Sequence, residues 1–207
     1  MPRKRLNREE SRAQTRHALL IAAAKVIAKR GFGGTSVEDI TADAGYSRGA
    51  FYSNFNGKDD LFIELLRDDH SEMLDVFREV FRSTPDLVEL GNQLKSFYGQ
   101  LFRNNDHCLL WMEARLHAVR HGAFRTRLNK LIDEARSHIT GFVERYHELT
   151  GVALPLPARE LAIGLMALAE SIKFAHIVDP VEIDDAVANR VLELFFGSVL
   201  QAGLPAR

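Results

Sequence analysis

The sequence predicts an all-α protein, a compact three-helix head followed by a larger helical body, and three observations lead there. Apolar residues recur at three- and four-residue spacing along most of the 207 residues. Glycine, proline and Ser/Thr/Asp positions punctuate those stripes where helices would start and stop. Charge is divided unevenly: residues 1–58 carry 11 Lys/Arg against 5 Asp/Glu, whereas the remainder is net −7. A basic head on an acidic body suits a head that meets a polyanion.

Taken in order, Leu19, Ala23 and Ile27 mark a first helix that Gly31 stops. Thr35-Ser36-Val37-Glu38 has the form of a capping box and opens a short helix to about Ala44. Gly45 supplies a turn, and Ser47 is the expected N-cap of another short helix to about Asn54. From Lys58 a longer helix should reach about Arg82, and Thr84-Pro85 opens the stripe Leu87, Leu90, Leu94, Phe97, Leu101. Asn105-Asp106 restarts the chain toward Arg120, and Leu128 to Tyr146 forms a further stripe that ends at Thr150-Gly151. After Pro155 and Pro157 a helix should run to about Ile177, and a last one spans roughly Ile183–Gln201. About nine helices are expected, with no strand, repeat or low-complexity tract. They divide into a compact three-helix head over 1–58 and a larger helical body over 59–207.

Cys108 stands alone, so neither an intramolecular disulfide nor a thiolate metal cluster is expected. No apolar stretch closely follows Arg3-Lys4-Arg5, and Gly164–Ile172 is too short and carries Glu170, so neither secretion nor a membrane span is expected. The expectation is a soluble, cytoplasmic protein.

The segment from Tyr46 to Phe55 suits the major groove, because little side-chain bulk surrounds Gly49 and Ala50. Arg48 is long enough to pair bidentately with a guanine edge. Ser47 and Tyr52 are candidate phosphate donors, joined by Thr35 and Ser36 at the preceding helix start and by Lys58 just beyond. Phe51 and Phe55, four apart, are expected in the core.

The string Gly31-Phe32, Thr35 to Ile40, Ala44 to Tyr52, then Phe55, Lys58 and Leu61 resembles the tetracycline-repressor (TetR) family of bacterial regulators. The resemblance covers about residues 12–62 and implies a DNA-binding head, an all-helical ligand-binding body and a homodimer. It also implies that Ser36, Tyr46, Ser47, Arg48, Gly49, Tyr52 and Lys58 lie at or near DNA. Thr41 and Tyr46 depart from the family's preferences without threatening the assignment. The arm residues Arg3, Lys4, Arg5, Arg8, Arg12 and Arg16 are expected to add phosphate attraction without base specificity.

The last two helices are apolar on more than one face. Leu161, Leu165, Leu168, Val191, Leu194, Phe195 and Val199 are therefore the expected dimer interface, and the resemblance implies pairing of these helices with their copies. Two heads so joined address a palindromic operator. Phe97, Leu101, Trp111, Met112, Leu116, Ile139, Met166, Glu170 and Phe174 are candidate lining for an effector pocket that takes a small, mainly apolar molecule. Glu113, His117 and His121 have helical metal-ligand spacing, but Arg115, Arg120 and Arg125 oppose a cation, and no metal or cofactor is expected. No nucleophile elbow or phosphate loop appears, so the chain is not expected to be an enzyme. An enzyme or ligand carrier with a vestigial head is the competing class, and an activator on the same scaffold stays open.

Overall fold

The structure, a computed structural model, describes residues 7–68, 71, 105–151 and 153–201. All regular structure among them is helical. The helices are α1 (Arg8–Arg30), α2 (Val37–Ala44), α3 (Arg48–Tyr52), α4 (58–68), α5 (Asn105–Arg120), α6 (Gly122–Thr150), α7 (Ala158–Val178) and α8 (Asp185–Gln201). The stripe expected over 87–101, with Phe97 and Leu101, falls outside the described residues.

The chain forms two compact units, one comprising residues 1–69 and 109–129, the other residues 70–108 and 130–207. The first therefore takes in more than the head expected over 1–58. Its core is aromatic. Phe32 stacks on Phe62 with ring centroids 4.5 Å apart, and Phe62 stacks on Phe124 at 5.7 Å. Leu19, Ile27, Ile40, Phe51, Leu61 and Leu66 are fully buried around them. Truncating one such ring to alanine costs about 3–5 kcal/mol.

Local chemistry fixes the elements of this unit. α1 starts on a reciprocal capping box between Asn7 and Glu10 and ends at Gly31, whose φ of 73° favours glycine. The box that opens α2 lies one residue later than the sequence suggests, because the N-cap is Ser36 and its reciprocal partner is Asp39. The reason is burial: Thr35 turns inward, 2% exposed, and its hydroxyl donates to the Gly31 carbonyl at 2.8 Å. Ser36 is left to cap, and Glu38 is released from that task. α2 ends at Gly45 in the left-handed region, φ 72° and ψ 29°. α3 stops at Tyr52 rather than at Asn54.

In the second unit α7 and α8 pack around Ala188 and Leu192, with Leu168, Ala169, Ile172 and Ile183 against them. Asp184 caps α8 by accepting from the Val187 N–H at 2.7 Å. Arg159, at the start of α7, is ion-paired with Asp133 of α6. The whole of α7, 21 residues with a most apolar stretch of mean hydropathy 1.6, is long and apolar enough to cross a bilayer by length and composition alone. The helix thus extends well beyond the Gly164–Ile172 run that the sequence singles out, and the core helix of a soluble protein meets the same criterion.

Candidate nucleic-acid interface

α2 and α3 meet through the turn at Gly45, where the Tyr46 N–H donates to the Thr41 carbonyl at 2.9 Å. Ser47 caps α3 by accepting from the Ala50 N–H at 3.2 Å, so Arg48 is its first helical residue. Phe51 and Phe55, buried with centroids 5.6 Å apart, root the short helix in the core as expected. The opposite side of α3 presents Ser47, Arg48, Gly49 and Tyr52 to solvent, and Tyr52 is half exposed. Ser36 is exposed at the start of α2, and Tyr46 is half-buried. Six of the eight expected contact residues thus keep an accessible side chain or backbone on these two helices.

Thr35 and Lys58 are placed differently. Thr35 is inside, as its hydroxyl bond to Gly31 requires, so its side chain offers nothing at the surface. The Lys58 ammonium donates to the carbonyls of Phe32 and Thr35, both at 2.7 Å, and sits 4.2 Å from the Phe32 ring centroid. Burial pushes it below the ordinary lysine value, with Asp59 pulling the other way. Its main work in the unbound chain is to close the α1–α2 loop from below. Two carbonyls in that loop gain a charge-assisted donor.

The arm is likewise built into the fold where it is described. Arg8, Arg12 and Arg16 belong to α1. Arg12 donates to the Ser53 carbonyl at 3.2 Å and Arg16 to that of Asn54 at 2.8 Å, so cations sit against the C-terminal end of α3. Arg16 also pairs with Glu64 at 2.9 Å and lies 4.5 Å over the Phe55 ring. Arg3, Lys4 and Arg5 lie outside the described residues.

Three carboxylates on α2 would oppose a polyanion, and each is held by a cation. Asp39 takes Arg30 at 2.7 Å, Asp43 takes Lys25 at 2.5 Å, and Glu38 takes Arg48 at 2.8 Å. Hydrogen bonds from Ser36, assisted by Arg30, hold the Asp39 carboxyl below the usual carboxylate value. The Glu38–Arg48 pair, the inward turn of Thr35 and the α1 cations at α3 all depend on tertiary geometry that spacing along the chain does not reveal.

Helix α5 supports the loop from the other side. The Glu113 carboxylate accepts from the Phe32 N–H at 2.9 Å. His117 approaches Asp59 at 3.1 Å, sits edge-on to Phe32 and Phe124, and has the His121 ring 4.0 Å away. Glu113 and His117 thus face different groups, while the His121 ring lies against His117. No cluster of three or more metal-ligating side chains occurs among the described residues.

The body residues divide less evenly. Trp111, Met112, Ile139, Met166 and Glu170 are half-buried, but Leu116 and Phe174 are exposed, so neither of those two lines an enclosed space within the chain. Leu161 and Leu165, expected at a dimer face, are buried by the chain's own packing. Leu168 packs on Ala188 and Leu192, and Val191 is half-buried. Leu194 and Phe195 are 66% and 51% exposed, and the side chain of Val199 lies outside the described residues. The uncovered face of α7 carries Ile163, Ala167, Phe174 and Val178.

Residues 19–65 match the profile of bacterial regulatory proteins, tetR family. An uncharacterised helix-turn-helix transcriptional regulator of Bacillus subtilis, YwcC, is 42% identical over 55 residues, which span only 25% of that protein and 27% of this chain. The transcriptional repressor AcnR of Corynebacterium glutamicum is 25% identical over 183 residues, covering 81% of this chain and 90% of AcnR. The FadR regulator of Bacillus subtilis, solved in complex with stearoyl-CoA, superposes with a TM-score of 0.72 at 18% identity, covering 91% of this chain and 99% of FadR.

Proposed function

From the premise that this chain belongs to the tetR family of bacterial regulatory proteins, we propose that it is a ligand-responsive repressor which binds a palindromic operator as a homodimer. Transcriptional regulation, not catalysis, is what its relatives are named for. The observation that carries the DNA-reading role is the solvent face of α3. There Arg48 and Gly49 stand at the first turn of a helix rooted by Phe51, with Ser47 and Tyr52 beside them. Ser36 and the first amides of α2 offer a second row of phosphate donors. A cytoplasmic location follows from that role.

The exposed apolar faces support dimerisation. Ile163, Ala167, Phe174 and Val178 of α7 and Leu194 and Phe195 of α8 are apolar side chains left exposed to water. Pairing with a second copy would cover them, and it gives the apolar length of α7 a role without a bilayer. The pairing face we propose is therefore this set, with Leu161 and Leu165 as the packing beneath it.

Effector control would rest on the second unit, where Ile139 and Met166 are half-buried apolar side chains and Glu170 is a half-buried polar anchor. FadR's complex with an acyl-CoA is consistent with a mainly apolar effector on this fold. The effector would favour the conformation with lower DNA affinity. A gel shift with the DNA upstream of the chain's own gene tests the reading. A specific, salt-sensitive shift released by a hydrophobic compound is the expected result. No specific shift at moderate salt would favour a ligand carrier with a vestigial head.

A further inference from the structure

The three acidic residues of α2 are neutralised by two different elements. Asp39 and Asp43 take their cations, Arg30 and Lys25, from α1, which keeps these pairs inside the scaffold. Glu38 takes its cation from α3, and that cation is Arg48, the side chain assigned to read a base. The pair is open to solvent, with side-chain exposures of 62% for Arg48 and 57% for Glu38. An exposed pair of this kind contributes little to stability. The Arg48 guanidinium also lies 6.0 Å from the Tyr52 ring centroid. The cationic side chain of the proposed reading face thus has both a carboxylate and a ring as neighbours.

We propose that Glu38 is a positioning residue that directs Arg48 to a base edge and away from phosphates, and so sets how sharply this protein discriminates among duplexes. The inference rests on the DNA-reading role above. A guanidinium has five N–H donors, and the contact with Glu38 is made through one terminal nitrogen, which leaves a second edge of the fork for a guanine O6/N7 pair. The neutral acceptors of a guanine edge tolerate a nearby carboxylate. A phosphate does not, because the two anions repel at close range. Glu38 thereby penalises the sequence-independent mode of Arg48 more than the specific one, which is how a repulsive element raises specificity. Its position in the first turn of α2, favourable to a carboxylate, accounts for a modest stabilising role but needs no arginine partner.

The test uses the full-length chain as wild type, Glu38→Gln, Arg48→Ala and the double variant. Each is presented with a pool of random 30-base-pair duplexes and, separately, with one duplex lacking the selected motif. Glu38→Gln keeps the shape and should lower the thermal midpoint only slightly, through loss of the carboxylate at the start of α2. It is expected to enrich a motif with guanine preference weakened roughly five- to tenfold at one position per half-site. Its affinity for the non-specific duplex should rise several-fold, and the slope of log K against log salt should steepen by about 0.9, one extra phosphate neutralised. In the Arg48→Ala background, Glu38→Gln should change neither the motif nor the slope. An unchanged motif and slope for the single variant would overturn the proposal, and so would equal changes in both backgrounds, which would mean simple repulsion rather than positioning. Failure of the wild type to enrich any motif would instead overturn the DNA-reading role itself.

Discussion

A methyl group added at Gly49 would meet only Ser47 Oγ, at an ordinary 3.7 Å, so nothing inside the chain demands glycine there. Helix propensity argues against it, since alanine is better by up to about 1 kcal/mol in a helix interior. A glycine that the fold does not need, on an exposed first turn beside Arg48, is explained by close approach of a partner. Gly49→Ala should therefore hold or raise the thermal midpoint while weakening duplex binding roughly tenfold. Equal duplex affinity in the two proteins would remove Gly49 from the interface. Glu113 behaves in the opposite way. Its carboxylate satisfies the N–H of Phe32, a residue only 2% exposed, and removing it orphans a buried donor. Glu113→Ala should cost about 1–3 kcal/mol in urea unfolding followed through Trp111. Glu113→Gln, which keeps an acceptor, should cost less. Residue types and spacing placed Ser47, Arg48 and Gly49 at the start of a short helix, and the structure has all three exposed there. What spacing did not reveal is that the Thr35 hydroxyl and the Lys58 ammonium serve loop carbonyls, because a carbonyl takes these donors as well as a phosphate does.

Element by element, caps and glycines carried most of the information. Gly31 and Gly45 end α1 and α2 where their positive φ requires, and Thr150-Gly151 ends α6. The α2 box slipped by one residue because Thr35 and Ser36 have similar intrinsic capping ability, and burial of Thr35 broke the tie. α5 was placed correctly as a helix, but its bonds to the loop before α2 lie 81 residues apart in sequence and left no local trace. A second α5 contact, His117 with Asp59 at 3.1 Å, should give this unit a pH dependence. Burial among aromatic rings holds the His117 imidazole below its ordinary value. The Asp59 carboxylate opposes that shift, and the neighbouring His121 and Lys58 add to it. The unfolded chain takes up the proton first as pH falls through about 6.5, so stability should fall with pH below that point. Urea midpoints between pH 7.5 and 5.5 should show this decline, and His117→Phe should flatten it. A midpoint for the wild type that stays level or rises over that range would contradict the assignment.

For the whole molecule, the surface left uncovered says more than the composition did. Sequence periodicity showed that α7 and α8 are too apolar for one buried face, yet it did not say which face each leucine occupies. Packing of α7 on α8 around Ala188 and Leu192 resolves this, turning Leu161 and Leu165 inward and leaving Phe174, Val178, Leu194 and Phe195 outside. Phe195→Glu combined with Val178→Glu should reduce the sedimenting mass from two chains to one while keeping the helical circular dichroism. Affinity for an inverted-repeat duplex should fall to that for a single half-site, because the second head then no longer binds at high effective concentration.

Amide hydrogen exchange of the full chain, with and without a selected duplex, shows whether α2 and α3 present the surface that meets DNA. Added protection is expected at residues 36–38 and 46–52, and its loss in Arg48→Ala at the same duplex concentration. Protection confined to α7 and α8, with none in α2 or α3, would contradict this expectation.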